Sequence, residues 1–209
     1  GAFPIASRLT ISEQSRAETK VRGSRFIGTA SPIGSKEDVA AVLEAIRREF
    51  WDASHHCFAY QLAPDGAVYR SFDDGEPNGS AGKPILLAVQ QANLFDVVVV
   101  VTRYFGGTKL GVGGLARAYG EAAREALAAS TPLERFDTEQ VRVFSPYDDV
   151  GRVRHLVEQV AESFDEEFKD VVIYTATVRT ERIASFALDL TDATAGRAGL
   201  VPIEEGRLE

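Results

Sequence analysis

The stretch VVVVVTRYFGGTKLGVGGLARAY, residues 97–119, decides the fold of the first half of this chain. Five consecutive valines predict a strand at residues 95–102, and the lack of polar alternation indicates a central strand that is covered on both faces. Five of the chain's 18 glycines then fall within residues 106–114, which is more than a turn needs. Residues 115–129 are rich in alanine and predict a helix. The glycine loop between strand and helix therefore indicates a backbone that is shaped around a ligand or a close packing contact.

The other elements of the first half follow from periodicity and capping. Ser35 and Asp38 form a capping box, and apolar residues recur behind it at helical spacing. Pro84 suits the first turn of a further helix. The predicted order is strands at 20–22 and 25–27, a helix that ends near residue 50, strands at 55–62 and 67–72, a loop at 73–83 and a helix at 84–92.

A second domain is predicted beyond the sequence TPLE at residues 131–134. The elements that follow are a strand at 140–144, a helix at 148–163, strands at 166–169 and 171–178, a helix at 181–190 and a strand at 199–203. This βαββαβ order is the ferredoxin-like split βαβ motif. The sequence therefore predicts an α+β protein with an N-terminal domain at residues 1–134 and a C-terminal ferredoxin-like domain at residues 135–209.

The charge distribution restricts the functions that are open to the chain. A net charge of −8 argues against a general nucleic-acid coat protein. Residues 1–134 carry 14 basic and 15 acidic side chains, a net of −1, whereas residues 135–209 carry 9 and 16, a net of −7. The acidic second domain is therefore a poor candidate for binding phosphate backbones.

Cysteine usage and hydropathy indicate a cytoplasmic protein. The single cysteine, Cys57, excludes an internal disulfide framework and fits a reducing compartment. Apolar runs fall short of the ~18 residues that cross a bilayer, and the first residues lack the pattern of a signal peptide. We therefore expect a cytoplasmic location and no membrane partner.

The glycine loop matches neither of two well-known phosphate motifs. Gly82-Lys83 lacks both the hydroxyl residue and the first glycine of a Walker A motif. Residues 111–116 fit Gly-x-Gly-x-x-Ala, but that fingerprint directly follows a strand, whereas the valine run ends ten residues earlier. Glycines before a helix still allow backbone amides to approach an anion closely. The partial positive charge at the helix N-terminus attracts that anion as well. Because Arg103, Lys109 and Arg117 would add charge-assisted hydrogen bonds, we favour an anion site over a merely close-packed turn.

Two further groups of residues suggest metal or nucleophile chemistry. The acidic residues at 73–76 resemble a Mg²⁺ cluster, but acidic turns are usually solvated, and we favour a solvated loop. In a strand, His55 and Cys57 point to one face and His56 to the other, so at most two of them share a metal. We expect Cys57 to be a buried structural residue rather than a nucleophile. The sequence therefore assigns no metal and no cofactor.

Four segments together closely resemble the IMPACT/YigZ family. They are SRFIGTASP, DASHHCFAY, DDGEPNGSAGKPIL and VVTRYFGGTKLGVGGLARAY, and the resemblance covers about residues 18–127. It implies a first domain similar to the two-layer α/β fold of a small-subunit ribosomal protein and of domain IV of elongation factor G. The second domain looks like domain V of that factor. The resemblance also implies a link to translation, because eukaryotic members modulate a translation-control kinase on ribosomes, whereas bacterial members have no accepted enzymatic activity.

These observations predict a translation-associated regulatory protein without assigned catalysis, which binds RNA or the ribosome through the first domain. The alternatives are an enzyme that uses Mg²⁺ on a phosphorylated or anionic small molecule, and an adaptor whose acidic second domain docks a protein partner. Replacing both Arg103 and Lys109 by alanine is expected to weaken anion or RNA binding with the melting temperature nearly unchanged. The predicted binding residues are Arg103, Tyr104, Phe105, Gly106, Gly107, Lys109, Gly111, Gly113, Gly114, Arg117, Lys83 and Arg25, with Asp74, Glu76 and His56 in the same cleft.

Overall fold

A computed structural model describes residues 7–63 and 66–203. The chain divides into two compact units, the first ending at Arg135 and the second beginning at Phe136. Each unit combines helices with antiparallel sheet, so the predicted α+β class with two domains is confirmed. In the described ranges no helix is long and apolar enough to cross a membrane.

The first unit is built on a five-stranded antiparallel sheet with the strand order β2-β3-β6-β4-β5. Two further strands, β1 and β7, form a sheet of their own. The sequence did not predict these two short strands. The elements are β1 (Ser7–Ile11), β2 (Ser15–Val21), β3 (Ser24–Pro32), α1 (Lys36–Glu49), β4 (His55–Leu62), β5 (Val68–Phe72), α2 (Gly82–Gln91), β6 (Val97–Tyr104), α3 (Gly111–Ala128) and β7 (Pro132–Phe136).

The central strand β6 serves two hydrophobic cores. Val97, Val99 and Val101 face the core that contains α2 and α3. Val98 and Val100 face the core that contains α1. All five valines are fully buried, as expected of a central strand covered on both faces. Helices therefore lie on both faces of the sheet, which gives this unit one layer more than the two-layer fold that the family resemblance implies.

Two helices of the first unit begin earlier than predicted. Helix α2 starts at Gly82 rather than Pro84, because the carboxylate of Asp73 accepts hydrogen bonds from the amides that precede and open it. Helix α3 starts at Gly111 rather than Leu115, and its first turn contains three glycines. Glycine disfavours helix interiors, so tertiary packing outweighs local propensity in α3. Strand β6 runs two residues further than predicted, to Tyr104.

The second unit has the predicted βαββαβ order and an antiparallel sheet with the strand order β11-β8-β10-β9. Its largest fully buried side chains are Tyr174 on β10 and Phe186 on α5. Helix α4 ends at Val160 rather than Ser163, because residues 161–163 already belong to the strand that pairs with β10. The elements are β8 (Thr138–Ser145), α4 (Val150–Val160), β9 (Ala161–Phe168), β10 (Val172–Arg179), α5 (Ile183–Thr194) and β11 (Gly199–Pro202), with short 3₁₀ turns before each helix.

Candidate functional site

A cleft of about 460 Å³ opens where β4, β6 and α3 begin or end. It brings together three segments that are far apart in the sequence: the start of β4, the loop 73–81 and the glycine loop. The structure thereby gathers Arg103, Lys109 and Glu76 at one site, with Gly111 at the start of α3. The complete lining is His55, Glu76, Pro77, Arg103, Phe105, Lys109, Leu110, Gly111, Val112 and Leu115.

A buried carboxylate lies at the centre of this cleft. Oε1 of Glu76 accepts hydrogen bonds from Nη1 of Arg103 and from the hydroxyl of Tyr119, both at 2.6 Å. The side chains of Glu76 and Arg103 are only 4% and 6% exposed. The guanidinium also lies between the rings of Phe26 and Phe105, at 5.6 and 5.5 Å from their centroids. Arg103 is therefore a structural ion-pair partner of Glu76 rather than a free phosphate ligand.

His55 stands beside this carboxylate with one ring nitrogen fixed and the other open. Its Nδ1 lies 2.7 Å from the carbonyl oxygen of Asp74, which only accepts, so Nδ1 carries a proton. Its Nε2 lies 3.6 Å from Oε1 of Glu76, too far for a hydrogen bond. The side chain is 24% exposed. His55 therefore offers Nε2 to a ligand in the cleft.

Cys57 lies below the cleft and is unsuited to nucleophilic chemistry. Its thiol donates to the carbonyl oxygen of Asp73 at 3.0 Å, and the residue is fully buried. Burial raises the pKa of the Cys57 thiol to about 12. Burial and the neighbouring Cys57 and Glu76 likewise raise the pKa of Tyr119 far above its usual range. Both groups therefore stay protonated, in agreement with the interpretation of Cys57 as structural.

The aspartates of the acidic loop bind backbone amides. Oδ1 of Asp73 accepts from the amides of Ala81 and Gly82, at 3.1 and 2.8 Å, and Oδ2 accepts from Gly79 at 2.8 Å. Oδ2 of Asp74 accepts from the amide of His56 at 2.7 Å. Asp74 therefore does not join the lining of the cleft. Among residues 7–63 and 66–203, no group of three or more His, Cys, Asp or Glu side chains could hold a metal ion.

Three of the predicted cleft residues point to the other face of the sheet. His56 is buried there against Thr102, with Nδ1 and Oγ1 3.1 Å apart, and burial lowers its pKa. Arg25 pairs in register with Tyr104 and stacks on its ring at 5.2 Å. The guanidinium of Arg25 also binds Glu18 at 2.9 and 3.2 Å. Side chains alternate along a strand, so Arg103 and Tyr104 cannot face the same site.

Lys83 and Arg117 line a separate groove of about 590 Å³ between α2 and α3. Ala116, Gly120 and Arg124 complete the part of its wall that α3 provides. Arg117 also borders a third hollow of about 420 Å³, which includes Arg22. The groove begins at Ala116, one residue beyond Leu115 of the cleft. The third hollow shares Leu110 with the cleft and Arg117 with the groove, so the three border one another along α3.

The charges on this surface differ in how far they are neutralised. Lys83, Lys109 and Arg117 are exposed, and the ion pairs of the described residues include none of them. Arg124 is bound to Glu121 at 2.8 Å. No side chain within the described ranges caps the N-terminus of α3. Three free cations and an open helix N-terminus therefore favour negative charge here.

Glycine occurs at the five positions of the loop for different structural reasons. A Cβ on Gly106 would lie 2.0 Å from the backbone of Gly23, so this glycine allows the loop to touch the turn between β2 and β3. Gly107 and Gly111 adopt φ values of +88° and +71°, which favour glycine. Gly113 and Gly114 lie in the first turn of α3. Close packing and backbone geometry thus account for three of the five glycines.

Sequence reasoning missed His55 and Arg124 as members of this surface, and Tyr119 as the buried partner of Glu76. The signal for His55 was present, because strand alternation puts it on the same face as the buried Cys57. Arg124 follows Arg117 after seven residues, which is two helical turns, and so shares its face. For Tyr119 nothing local indicated a partner, because its hydroxyl binds a carboxylate 43 positions earlier in the chain.

Comparisons with known proteins cover nearly the whole chain. The Impact N-terminal domain model matches residues 22–127, and a domain of unknown function, DUF1949, matches residues 145–197. The IMPACT family member YvyE of Bacillus subtilis (strain 168) is 31% identical over 98% of this chain and 93% of its own length. The IMPACT family member YigZ of Escherichia coli (strain K12) is 32% identical, over 89% and 93%. A crystal structure of a hypothetical protein superposes with a TM-score of 0.70 at 30% identity, covering 97% of this chain and 100% of the other.

Proposed function

Because the chain belongs to the IMPACT family, we propose that it is a translation-associated protein that binds RNA or the ribosome through the α2–α3 face of its first unit. The observation that carries the proposal is the alignment of three unpaired cations, Lys83, Lys109 and Arg117, along α3 and the groove beside it. Phosphate groups are the natural partners of such a row of exposed cations. Catalysis is not part of the proposal.

The exposed ring of Phe105 supports RNA over other polyanions. Phe105 is 52% exposed and stands at the mouth of the cleft beside Lys109. An unpaired base stacks well on such a ring, and single-stranded loops of RNA offer unpaired bases. The underlying guanidinium of Arg103 holds the ring from below. Stacking and phosphate contacts thus occur next to each other on one surface.

An enzyme that uses Mg²⁺ on an anionic substrate is less well supported. The carboxylates of Asp73 and Asp74 are engaged by backbone amides, and Oε1 of Glu76 is engaged by two donors. In addition, among residues 7–63 and 66–203 no group of three or more His, Cys, Asp or Glu side chains could hold a metal ion. The loop 73–76 therefore holds the shape of the cleft instead of presenting a metal site.

Titration of fluorescently labelled ribosomal RNA at two salt concentrations tests the proposal. Binding is expected to weaken steeply with salt, because each neutralised phosphate releases counterions. Lys109→Ala combined with Arg117→Ala should lower affinity and reduce the salt slope by about 0.7 per lost contact with single-stranded RNA. The absence of binding at low salt would refute the proposal.

A matched control is available on the opposite face of the sheet. Lys36 and Arg47 lie exposed on α1, so replacing both by alanine removes the same charge from a helix that does not border the cleft. This variant should bind RNA nearly as well as the wild type. If both double variants lose equal affinity, binding depends on net charge alone and the α2–α3 face has no special role.

A further inference from the structure

A carboxylate in the wall of a cation-rich cleft is the feature that phosphate binding does not explain. Glu76 would repel a phosphate placed directly against it. Its Oε1 is saturated by Arg103 and Tyr119, but its Oε2 accepts no hydrogen bond in the described part of the chain. A side chain only 4% exposed therefore presents one open acceptor to the cleft. That acceptor calls for a ligand with a hydrogen-bond donor.

We propose that Glu76 and His55 recognise the ribose 2′-hydroxyl of one unpaired nucleotide held in this cleft. The inference rests on the proposed RNA binding and adds to it a means of distinguishing RNA from DNA. The 2′-hydroxyl is both donor and acceptor, and it is the group that differs between the two nucleic acids. The hydroxyl donates its one hydrogen to Oε2 of Glu76, and the unprotonated Nε2 of His55 is a second acceptor for that hydrogen.

The geometry of His55 fits this role. Because its Nδ1–H is held by the carbonyl of Asp74 at 2.7 Å, the ring cannot turn away from the cleft without losing that bond. The open Nε2 stands 3.6 Å from Oε1 of the same carboxylate. A hydroxyl placed between the two side chains meets two acceptors, the open carboxylate oxygen and the unprotonated imidazole nitrogen, and donates its hydrogen to either. The pair is matched to a hydrogen-bond donor rather than to an anion.

The rest of the cleft suits the remaining parts of a nucleotide. Its volume of about 460 Å³ lies within the range of pockets that hold one small ligand. Lys109 and the open N-terminus of α3 attract the adjacent phosphate, and Phe105 offers a face to the base. Positive charge, acceptor and aromatic ring thus occur in one cleft, as a single nucleotide requires.

The test compares three labelled single-stranded probes of about 12 nucleotides, a length within the usual range of such sites. They are RNA, DNA of the same sequence with uracil in place of thymine, and 2′-O-methyl RNA, all titrated at low salt by fluorescence anisotropy. The wild type is expected to bind RNA roughly tenfold or more tightly than either modified probe, as one hydrogen bond to a charged group implies. Equal affinity for all three overturns the inference, but leaves RNA binding intact. If no probe binds, the proposed function fails as well.

Two variants separate recognition from folding. Glu76→Gln replaces the open oxygen by an amide group and is expected to reduce RNA affinity to that of DNA. His55→Ala is also expected to reduce RNA affinity toward that of DNA, and it leaves the ion pair between Arg103 and Glu76 in place. This variant tests the inference if Glu76→Gln does not fold. His155→Ala, at an exposed histidine of the second unit, is the matched control. The ratio of RNA to DNA affinity within one protein does not depend on the folded fraction, so unchanged ratios in both cleft variants would overturn the inference.

Discussion

Replacement of Arg103 by methionine tests whether this residue is a structural partner or a surface cation. Methionine keeps an apolar stem between Phe26 and Phe105 but removes the charge. Nη1 of Arg103 lies 2.6 Å from Oε1 of Glu76, and both side chains are more than nine-tenths buried. Removing one partner of a buried ion pair costs about 3–5 kcal/mol, because the other charge remains buried without compensation. The sequence-based expectation of an unchanged melting temperature is thereby revised for Arg103, though not for Lys109.

The expected loss lies toward the lower end of that range. Nε of Arg103 is buried without an acceptor among the described residues, so the wild type already carries one unsatisfied group that methionine removes. Tyr119 also continues to donate to Glu76 in the variant. We therefore expect a loss of about 3 kcal/mol in the free energy of unfolding.

Urea unfolding followed by circular dichroism measures this loss. Adding Glu76→Gln to Arg103→Met removes the uncompensated charge, so the double variant should be more stable than Arg103→Met alone. Lys109→Ala serves as the reference for an exposed cation and should change stability by no more than about 0.5 kcal/mol. If Arg103→Met stays within that same margin, the ion pair does not stabilise the fold and the argument is wrong.

Further predictions concern the scaffold of the cleft. Asp73→Ala should lower the free energy of unfolding by about 1–2 kcal/mol, because α2 loses the carboxylate that caps it. Although burial acts to raise the pKa of Asp73, the hydrogen bonds from backbone amides hold that pKa below the ordinary 3.8. The carboxylate therefore stabilises the fold fully at any pH above the pKa that Asp73 has in the unfolded chain, and this stabilisation is lost as pH falls through the pKa of Asp73 in the folded protein. The urea midpoints of variant and wild type should therefore differ at about pH 6 and converge in strong acid. Cys57, whose pKa burial raises to about 12, should react with Ellman's reagent at about pH 8 only after unfolding, and rapid reaction of the native protein would contradict its burial. Gly106→Ala places a Cβ 2.0 Å from the backbone of Gly23 and should cost about 1–3 kcal/mol by thermal melting, whereas Gly113→Ala, whose Cβ meets nothing within 3.4 Å, should not destabilise.

The elements with strong local signals could be predicted from the sequence. The five valines of β6 predicted a strand buried on both faces, and the alternation between two cores explains why no polar residue interrupts them. The capping box at Ser35 and Asp38 predicted the start of α1, where the carboxylate binds the amides of Gly34 and Ser35 at 2.7 and 3.0 Å. In both cases the information lies within a few neighbouring residues.

The cleft could be predicted only in part, because its chemistry depends on tertiary contacts. The burial of Arg103 follows from a carboxylate 27 positions earlier and a ring 77 positions earlier, and no local pattern reveals either. That Tyr104 faces the side of the sheet opposite to Arg103 could have been predicted, because neighbouring residues in a strand point to opposite sides. The early start of α3 could not have been predicted, because three glycines in the first turn argue against a helix when only local propensity is considered.

The position of β6 also determines when the first unit can form during synthesis. Its neighbours β3 and β4 end at Pro32 and Leu62, yet both pair with residues 97–104 rather than with each other. At ~5–20 residues per second, the ribosome needs roughly 4 to 14 seconds to pass from the end of β3 to the end of β6. The hairpin β2–β3 exposes an unpaired inner edge throughout that interval, and the hairpin β4–β5 does so from the synthesis of Phe72 onward. The last strand of this sheet to arrive closes both edges at once.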